Sequence, residues 1–175
     1  MSGPLAGVRV VDFSCVLAGP LCARTLLDLG AEVIKIEPPR PDVSRFAFPG
    51  KPGMSGYYAQ QNAGKRNVSI DLNVPGAREL ALRLCGTADV VIENFRAGTW
   101  RFFGLDYATL SARNPRLIYA SVTSYGQGGP WQGRMMPRFS KDQKLSMVWV
   151  WTSPRTYSPR MWRTVSCRKS LPNPK

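Results

Sequence analysis

Residues 8–37 read VRVVDFSCVLAGPLCARTLLDLGAEVIKIE. Val8–Phe13 is a short run rich in valine, the pattern of a strand buried on both faces. A helix follows. Ala18, Leu21, Cys22, Thr25, Leu26 and Leu29 recur at spacings of three and four and form an apolar stripe. Pro20 falls in its first turn, where a missing N–H costs nothing, and Gly30 suits the position just past its end. Glu32–Ile36 is a second strand-like run. Strand, helix and strand in such close succession make a βαβ unit, whose crossover joins parallel strands.

The same grammar continues downstream. Asn67–Leu72, Asp89–Glu93 and Arg116–Val122 are further Val/Ile-rich strand candidates. Helices are expected from Gly76 to Leu84, behind Asn73-Val74-Pro75, and over Tyr107–Arg113, ending at Asn114-Pro115. The expected fold class is α/β: a Rossmann-like, mainly parallel sheet with helices on both faces. The connection Pro38–Gly64 is long and rich in Pro, Gly and aromatics. It reads equally as a functional loop or as a connection packed on a partner.

After Arg134 the pattern breaks. Residues 1–133 carry 14 Lys+Arg and 10 Asp+Glu, a balance of +4, whereas residues 134–175 carry 10 and one, a balance of +9. Most of the net +13 therefore belongs to the last quarter of the chain. Leu145–Trp151 is the only strand-like run there. Two domains of different kind are expected: an α/β unit over residues 1–133, and a basic, poorly ordered tail over residues 134–175. A shifted reading frame explains the tail better than selection for a basic function. Nucleic-acid binding, with Trp149, Trp151 and Trp162 stacking on bases, is a disfavoured alternative.

At 175 residues and 43% apolar content the chain can build one core. It holds no run long enough to cross a bilayer, and the start, MSGPLAGVRVVDF, has no charged segment leading into an apolar one. A cytoplasmic chain with no membrane partner is expected. The four cysteines form no C-x-x-C pair and histidine is absent, so no metal site is expected. Ser-His-Asp and Cys-His chemistry are excluded for this chain. An acid, base or nucleophile must be a carboxylate, Lys, Tyr, Cys or Ser.

Four segments could carry a ligand. Ser14–Pro20 leads into a helix N-terminus, which suits a phosphate or carboxylate. It lacks the G-x-G-x-x-G of a dinucleotide site, although Glu37 stands where a ribose-binding acid would. Gly64-Lys65-Arg66-Asn67 could hold phosphates or be a solvated turn. In Val90–Gly98, Asn94, Phe95 and Arg96 could bind a ligand; alternatively Asn94 caps a helix and Phe95 fills the core. The glycine-rich run behind Ser121 could approach a ligand closely, as could any wide loop.

Taken together, PLAGVRVVDFS, AGP, LGAEVIKIE, GKRNVSIDLN, ADVVIENFRAG and FGLDYATLSARNPRLIYASVTSYGQGGP occur in one order over residues 4–133. In that order and spacing the chain resembles the N-terminal part of the family III CoA-transferases. That family includes formyl-CoA and carnitine CoA-transferases and the related α-methylacyl-CoA racemases. The resemblance implies part of a large Rossmann-like domain that binds coenzyme A, and a homodimer of interlocked chains. It implies acyl-CoA and a small carboxylic acid as partners, with CoA moved from one to the other. The helix N-terminus behind Ser14 would then face CoA. Matching positions imply CoA contacts at Val16, Leu17 and Ala18, at Ile70, Asp71, Leu72 and Asn73, and at Asn94, Phe95 and Arg96. Two family arginines are displaced: Pro38 stands at one position, with Arg40 nearest, and Phe102 at the other, with Arg101 adjacent. Leu17 replaces a residue that is polar in some members.

In the family an aspartate attacks the acyl-CoA, passes through a mixed anhydride and becomes a CoA thioester; the racemases use a His and an Asp. Those residues lie beyond SYGQGGP, where this sequence leaves the pattern. The catalytic residue is unassigned, and Asp142, in FSKDQK, is the one acid the tail offers. The expectation is a truncated CoA-transferase, inactive by itself. The alternatives are a CoA-binding fragment without catalysis and a racemase relative.

Overall fold

A computed structural model describes residues 2–47, 55–124, 126–127 and 130. Five strands run parallel in one sheet: β1 (Arg9–Asp12), β2 (Glu32–Glu37), β3 (Arg66–Ser69), β4 (Val90–Glu93) and β5 (Ile118–Ser121). Their order is β3-β2-β1-β4-β5. The chain first steps outward from β1 through β2 to β3, then returns to the other side of β1 for β4 and β5. The point of reversal lies between β1 and β4, where Val10 is in register with both Val33 and Val90.

β1, β2, β4 and β5 bury apolar residues on both faces of the sheet, whereas β3, at the sheet edge, is exposed along its whole length and is not the buried strand that its sequence suggested. Helix α1 (Ala18–Asp28) packs over one face, burying Ala23 and Leu27 with Val10, Val33, Ile92 and Ala120. The alternate residues Val11, Val91 and Tyr119 point to the other face. There they meet α3 (Ala77–Gly86), α4 (Thr99–Phe103) and α5 (Tyr107–Arg113) through Ala81, Cys85, Trp100 and Leu110. The expected α/β class and the helices on both faces are thus what the chain forms.

Boundaries differ from expectation at the strand ends. β3 stops at Ser69, yet Ile70 still donates its N–H to the Glu37 carbonyl at 2.8 Å; Val122 does the same to Glu93 at 2.8 Å. Pairing continues where regular geometry has ended. The connection 38–64 is not a plain loop. It contains a 3-10 turn, Val43–Phe46, and helix α2 (Gly56–Asn62). Asp42 accepts the N–H of Ser44 and Ser55 accepts the N–H of Tyr58, so each piece begins on a side-chain cap. Helix α4 was not expected either. Gly98 and Gly104, at φ +88° and +67°, bracket it. The strand expected at Leu145–Trp151, and the change of character after Arg134, lie outside the described residues.

Candidate functional site

Parallel strands deliver the segments that follow them to one edge of the sheet. Val16–Ala18 follow β1, Arg40 follows β2, Ile70–Asn73 follow β3 and Asn94–Arg96 follow β4. Arg101 lies on α4, one turn further along. The segments after β1 and β4 thus flank the reversal point, and those after β2 and β3 lie further along the same edge. Open α/β sheets place ligands at such a reversal point.

The β1–α1 turn is the centre of this edge, and side chains fix its backbone group by group. Asp12 Oδ1 accepts the N–H of Ser14 at 2.9 Å and also its hydroxyl. Lys35 donates to the Ser14 carbonyl at 2.6 Å. Asn94 reaches across from β4 to accept the Cys15 N–H at 2.8 Å and donate to the Cys15 carbonyl at 2.7 Å. Asp42 accepts the Val16 N–H at 2.9 Å. Val16 stands at φ +67°, the only non-glycine in the left-handed region among the described residues. That conformation is costly for a β-branched side chain. Gly19 lets α1 approach: a Cβ there would overlap Ser14 Cβ and sit 2.5 Å from its Oγ. Val16 and Leu17, 40% and 43% exposed, present an apolar lip.

Beneath the turn lies a buried charge network. Lys65 and Asp12 pair at 2.9 Å with both side chains out of solvent. Lys65 also donates to the Pro20 carbonyl at 2.8 Å and to Asn62 at 2.9 Å. All three ammonium protons are thus placed, and neither sequence reading of Lys65 fits: it is not solvated and has no donor left for a phosphate. Burial pulls its pKa below the ordinary lysine value, and Asp12 opposes that pull. Lys35 stands 3.9 Å from Asp42 and 4.0 Å from Glu37. Arg45 donates twice to Glu37 Oε2, at 3.0 and 2.7 Å, and lies over the Tyr58 ring. Glu37 is therefore turned inward onto cations and not toward a ribose. Burial, aided by Glu37, raises the Tyr58 pKa.

Burial disfavours the thiolate form of the cysteines in this region. Burial, then the Asp42 carboxylate, raises the Cys15 pKa; burial, then Asp12, raises that of Cys22. Cys85 is pushed up to about 12 by burial in the core. Among the described residues no three metal-ligating side chains gather, and no helix is long and apolar enough to cross a membrane.

The expected contact residues divide by environment. Val16, Leu17, Arg40, Asn73, Arg96 and Arg101 are exposed at the edge, with Ala18, Asp71 and Leu72 half-buried. Ile70 is a core residue. Phe95 packs edge-on against Trp100 at 5.2 Å, the core-filling alternative. Asn94 caps no helix; its amide is spent on Cys15. Asp142 lies outside the described residues. Sequence reasoning passed over Asp42, although Pro41-Asp42-Val43-Ser44 carries the side-chain cap signature of a turn.

Comparison with known proteins bears on the family and the fold. The family model described as CoA-transferase family III matches residues 5–144. A probable fatty acyl-CoA transferase of Mycobacterium tuberculosis, Rv3272, is 48% identical over 130 residues, covering 73% of this chain and 33% of that protein. Succinate–glutarate CoA-transferase of Agrobacterium fabrum is 43% identical over 136 residues, covering 73% and 34%. The chain thus spans about a third of the length of the curated relatives it matches. Among solved structures, a CAIB/BAIF family protein from Brucella suis superposes with a TM-score of 0.73 at 44% identity, covering 77% of this chain and 37% of that one.

Proposed function

The chain belongs to CoA-transferase family III, and on that premise we propose that it supplies the CoA-binding part of an enzyme moving CoA between an acyl-CoA thioester and a carboxylic acid. The carrying observation is its 43–48% identity to named CoA-transferases over the segment that forms the strand-end edge.

The residues at that edge suit such a ligand. CoA is an elongated polyanion with an apolar arm. The lip of Val16 and Leu17 offers the arm a surface, and the α1 N-terminus offers N–H groups and a positive dipole end. Arg40, Arg96 and Arg101, all exposed, supply positive charge for its phosphates. Asp71, Leu72 and Asn73 complete the rim on the β3 side.

Transfer itself needs a carboxylate nucleophile. It attacks the thioester carbonyl and expels the CoA thiolate, which then attacks the resulting anhydride to leave a CoA thioester on the protein and a free acid. Asp142 falls inside the residues that the family model matches, but nothing in the described structure places it, and we assign it no role. The proposal is a chain that binds CoA and does not complete transfer alone. A homodimeric state and a cytoplasmic location belong to the same proposal.

Calorimetric titration of CoA into the purified chain tests it. A dissociation constant in the micromolar range is expected, with no CoA adduct in the mass spectrum after incubation with succinyl-CoA. Absence of binding overturns the CoA reading; burst release of CoA with an adduct at Asp142 overturns the inactivity.

A further inference from the structure

We propose that Asp42 is a positioning residue: from the 3-10 turn behind β2, its carboxylate holds Val16 in the left-handed conformation that shapes the β1–α1 turn for CoA. The inference rests on the CoA reading above for its ligand, but not for its mechanics.

Every backbone polar group from the Ser14 N–H to the Val16 N–H is taken by a side chain. Asp12 ends β1, Lys35 lies within β2 and Asn94 directly follows β4, and they hold Ser14 and Cys15. Asp42 comes from the 3-10 turn beyond β2, and among the side-chain bonds described it alone takes the N–H of the residue whose backbone is strained. Val16 would relax to a negative φ unless something opposed it, because a β-branched side chain at φ +67° crowds its own backbone. The Asp42–Val16 bond supplies that opposition.

The carboxylate is itself well anchored. Its Oδ1 accepts the Ser44 N–H at 2.9 Å while Oδ2 accepts the Val16 N–H at 2.9 Å. The side chain is buried, with the Lys35 ammonium 3.9 Å away. Two backbone donors and one buried cation therefore fix its direction. If the bond is lost, Val16 rotates and carries with it Leu17 and Ala18, the residues that begin α1 at the ligand edge. Asp42 thus couples the 38–64 connection to the ligand site without touching the ligand.

A double-substitution cycle tests the coupling. Glycine accepts φ +67° without penalty, so Val16→Gly makes the Asp42 clamp unnecessary. Asp42→Ala is expected to weaken CoA binding about tenfold in the Val16 background and less than about threefold in the Val16→Gly background. Asp42→Asn, which keeps one acceptor for two N–H donors, gives a smaller loss of the same pattern and replaces Asp42→Ala should that variant not fold. Equal losses in both backgrounds, or no loss, overturn the inference, because a general structural role for Asp42 is not rescued by glycine at residue 16. Urea denaturation of the same four proteins reads the coupling without CoA. The Asp42 substitution is expected to lower the midpoint less when residue 16 is glycine; additive shifts sink the proposal. A parent chain that binds no CoA removes the CoA reading, and the denaturation cycle then decides for or against the clamp.

Discussion

Glu93 shows how much a single buried group can hide. It closes β4 with its carboxyl out of solvent, accepting the Phe95 N–H at 2.8 Å. Burial raises its pKa above the ordinary 4.5, and hydrogen bonds from Ser121 and Phe95 oppose the rise. A folded-state pKa above the unfolded one means that the native state binds the proton more tightly. That contribution to stability is complete below the unfolded value and is lost as pH climbs through the folded value. Glu93→Gln removes the titration. Urea midpoints measured from pH 4 to pH 8 should therefore fall for the parent relative to Glu93→Gln as pH rises; parallel curves would show that Glu93 does not titrate in this window. The sequence displayed Glu93 only as the polar end of an apolar run. Lys65 was equally opaque, since its partner Asp12 is 53 residues away. Such pairings arise from topology, and no local pattern encodes them. Val16, by contrast, was singled out through the resemblance, but its backbone at φ +67° and the bond to Asp42, 26 residues away, were invisible.

Elements were legible in proportion to their length and periodicity. The α1 stripe spans three turns and marked the helix but not its buried face: Ala23 and Leu27 are buried, whereas Leu21 and Leu29 of the stripe are 48% and 43% exposed. β1, β2, β4 and β5 were visible as apolar runs because both their faces are buried, whereas β3 is exposed throughout and its pairing was not written in its side chains. Helix α4 has five residues, too few to show a period, and only its flanking glycines mark it. Its two outward extremes make a contrast. Trp100, 6% exposed, meets Phe13 at 4.8 Å and Phe95 at 5.2 Å and ties α4 to the sheet. Phe102, two positions on, is 70% exposed and touches only Phe103 and the Arg78 guanidinium among the ring contacts described. Trp100→Ala is expected to cost about 3–5 kcal/mol, the usual loss for a large buried aromatic. Phe102→Ala should stay within about 1 kcal/mol, the worth of an exposed cation–π contact. Chemical denaturation of the two variants separates them, and similar losses would mean that α4 is held by its outer face. Helix α2 carried a readable start, Ser55 before a helical run, but sat inside a Pro- and Gly-rich stretch that reads as loop.

Across the whole chain, charge is unevenly distributed, and the imbalance makes the ligand edge testable. The +4 of residues 1–133 sits on the segment that builds the sheet, while the +9 of residues 134–175 follows it. If the strand-end edge binds CoA, the cations that matter are Arg40, Arg96 and Arg101. Their attraction for phosphates is short-ranged and weakens as salt shortens the Debye length from about 10 Å at 0.1 M to about 3 Å at 1 M. A basic tail acting as a general anion trap would add its own, steeper salt dependence. Titrating CoA at rising salt into the full chain and into a chain ending at Gly133 distinguishes the two. The expected outcome is one affinity and one salt slope for both proteins, with a further loss when Arg96 is replaced by alanine. A shallower slope and weaker binding in the shortened chain would transfer the phosphate contacts from the sheet edge to residues 134–175. The net charge of +13, read alone, would then have been the better guide to the ligand.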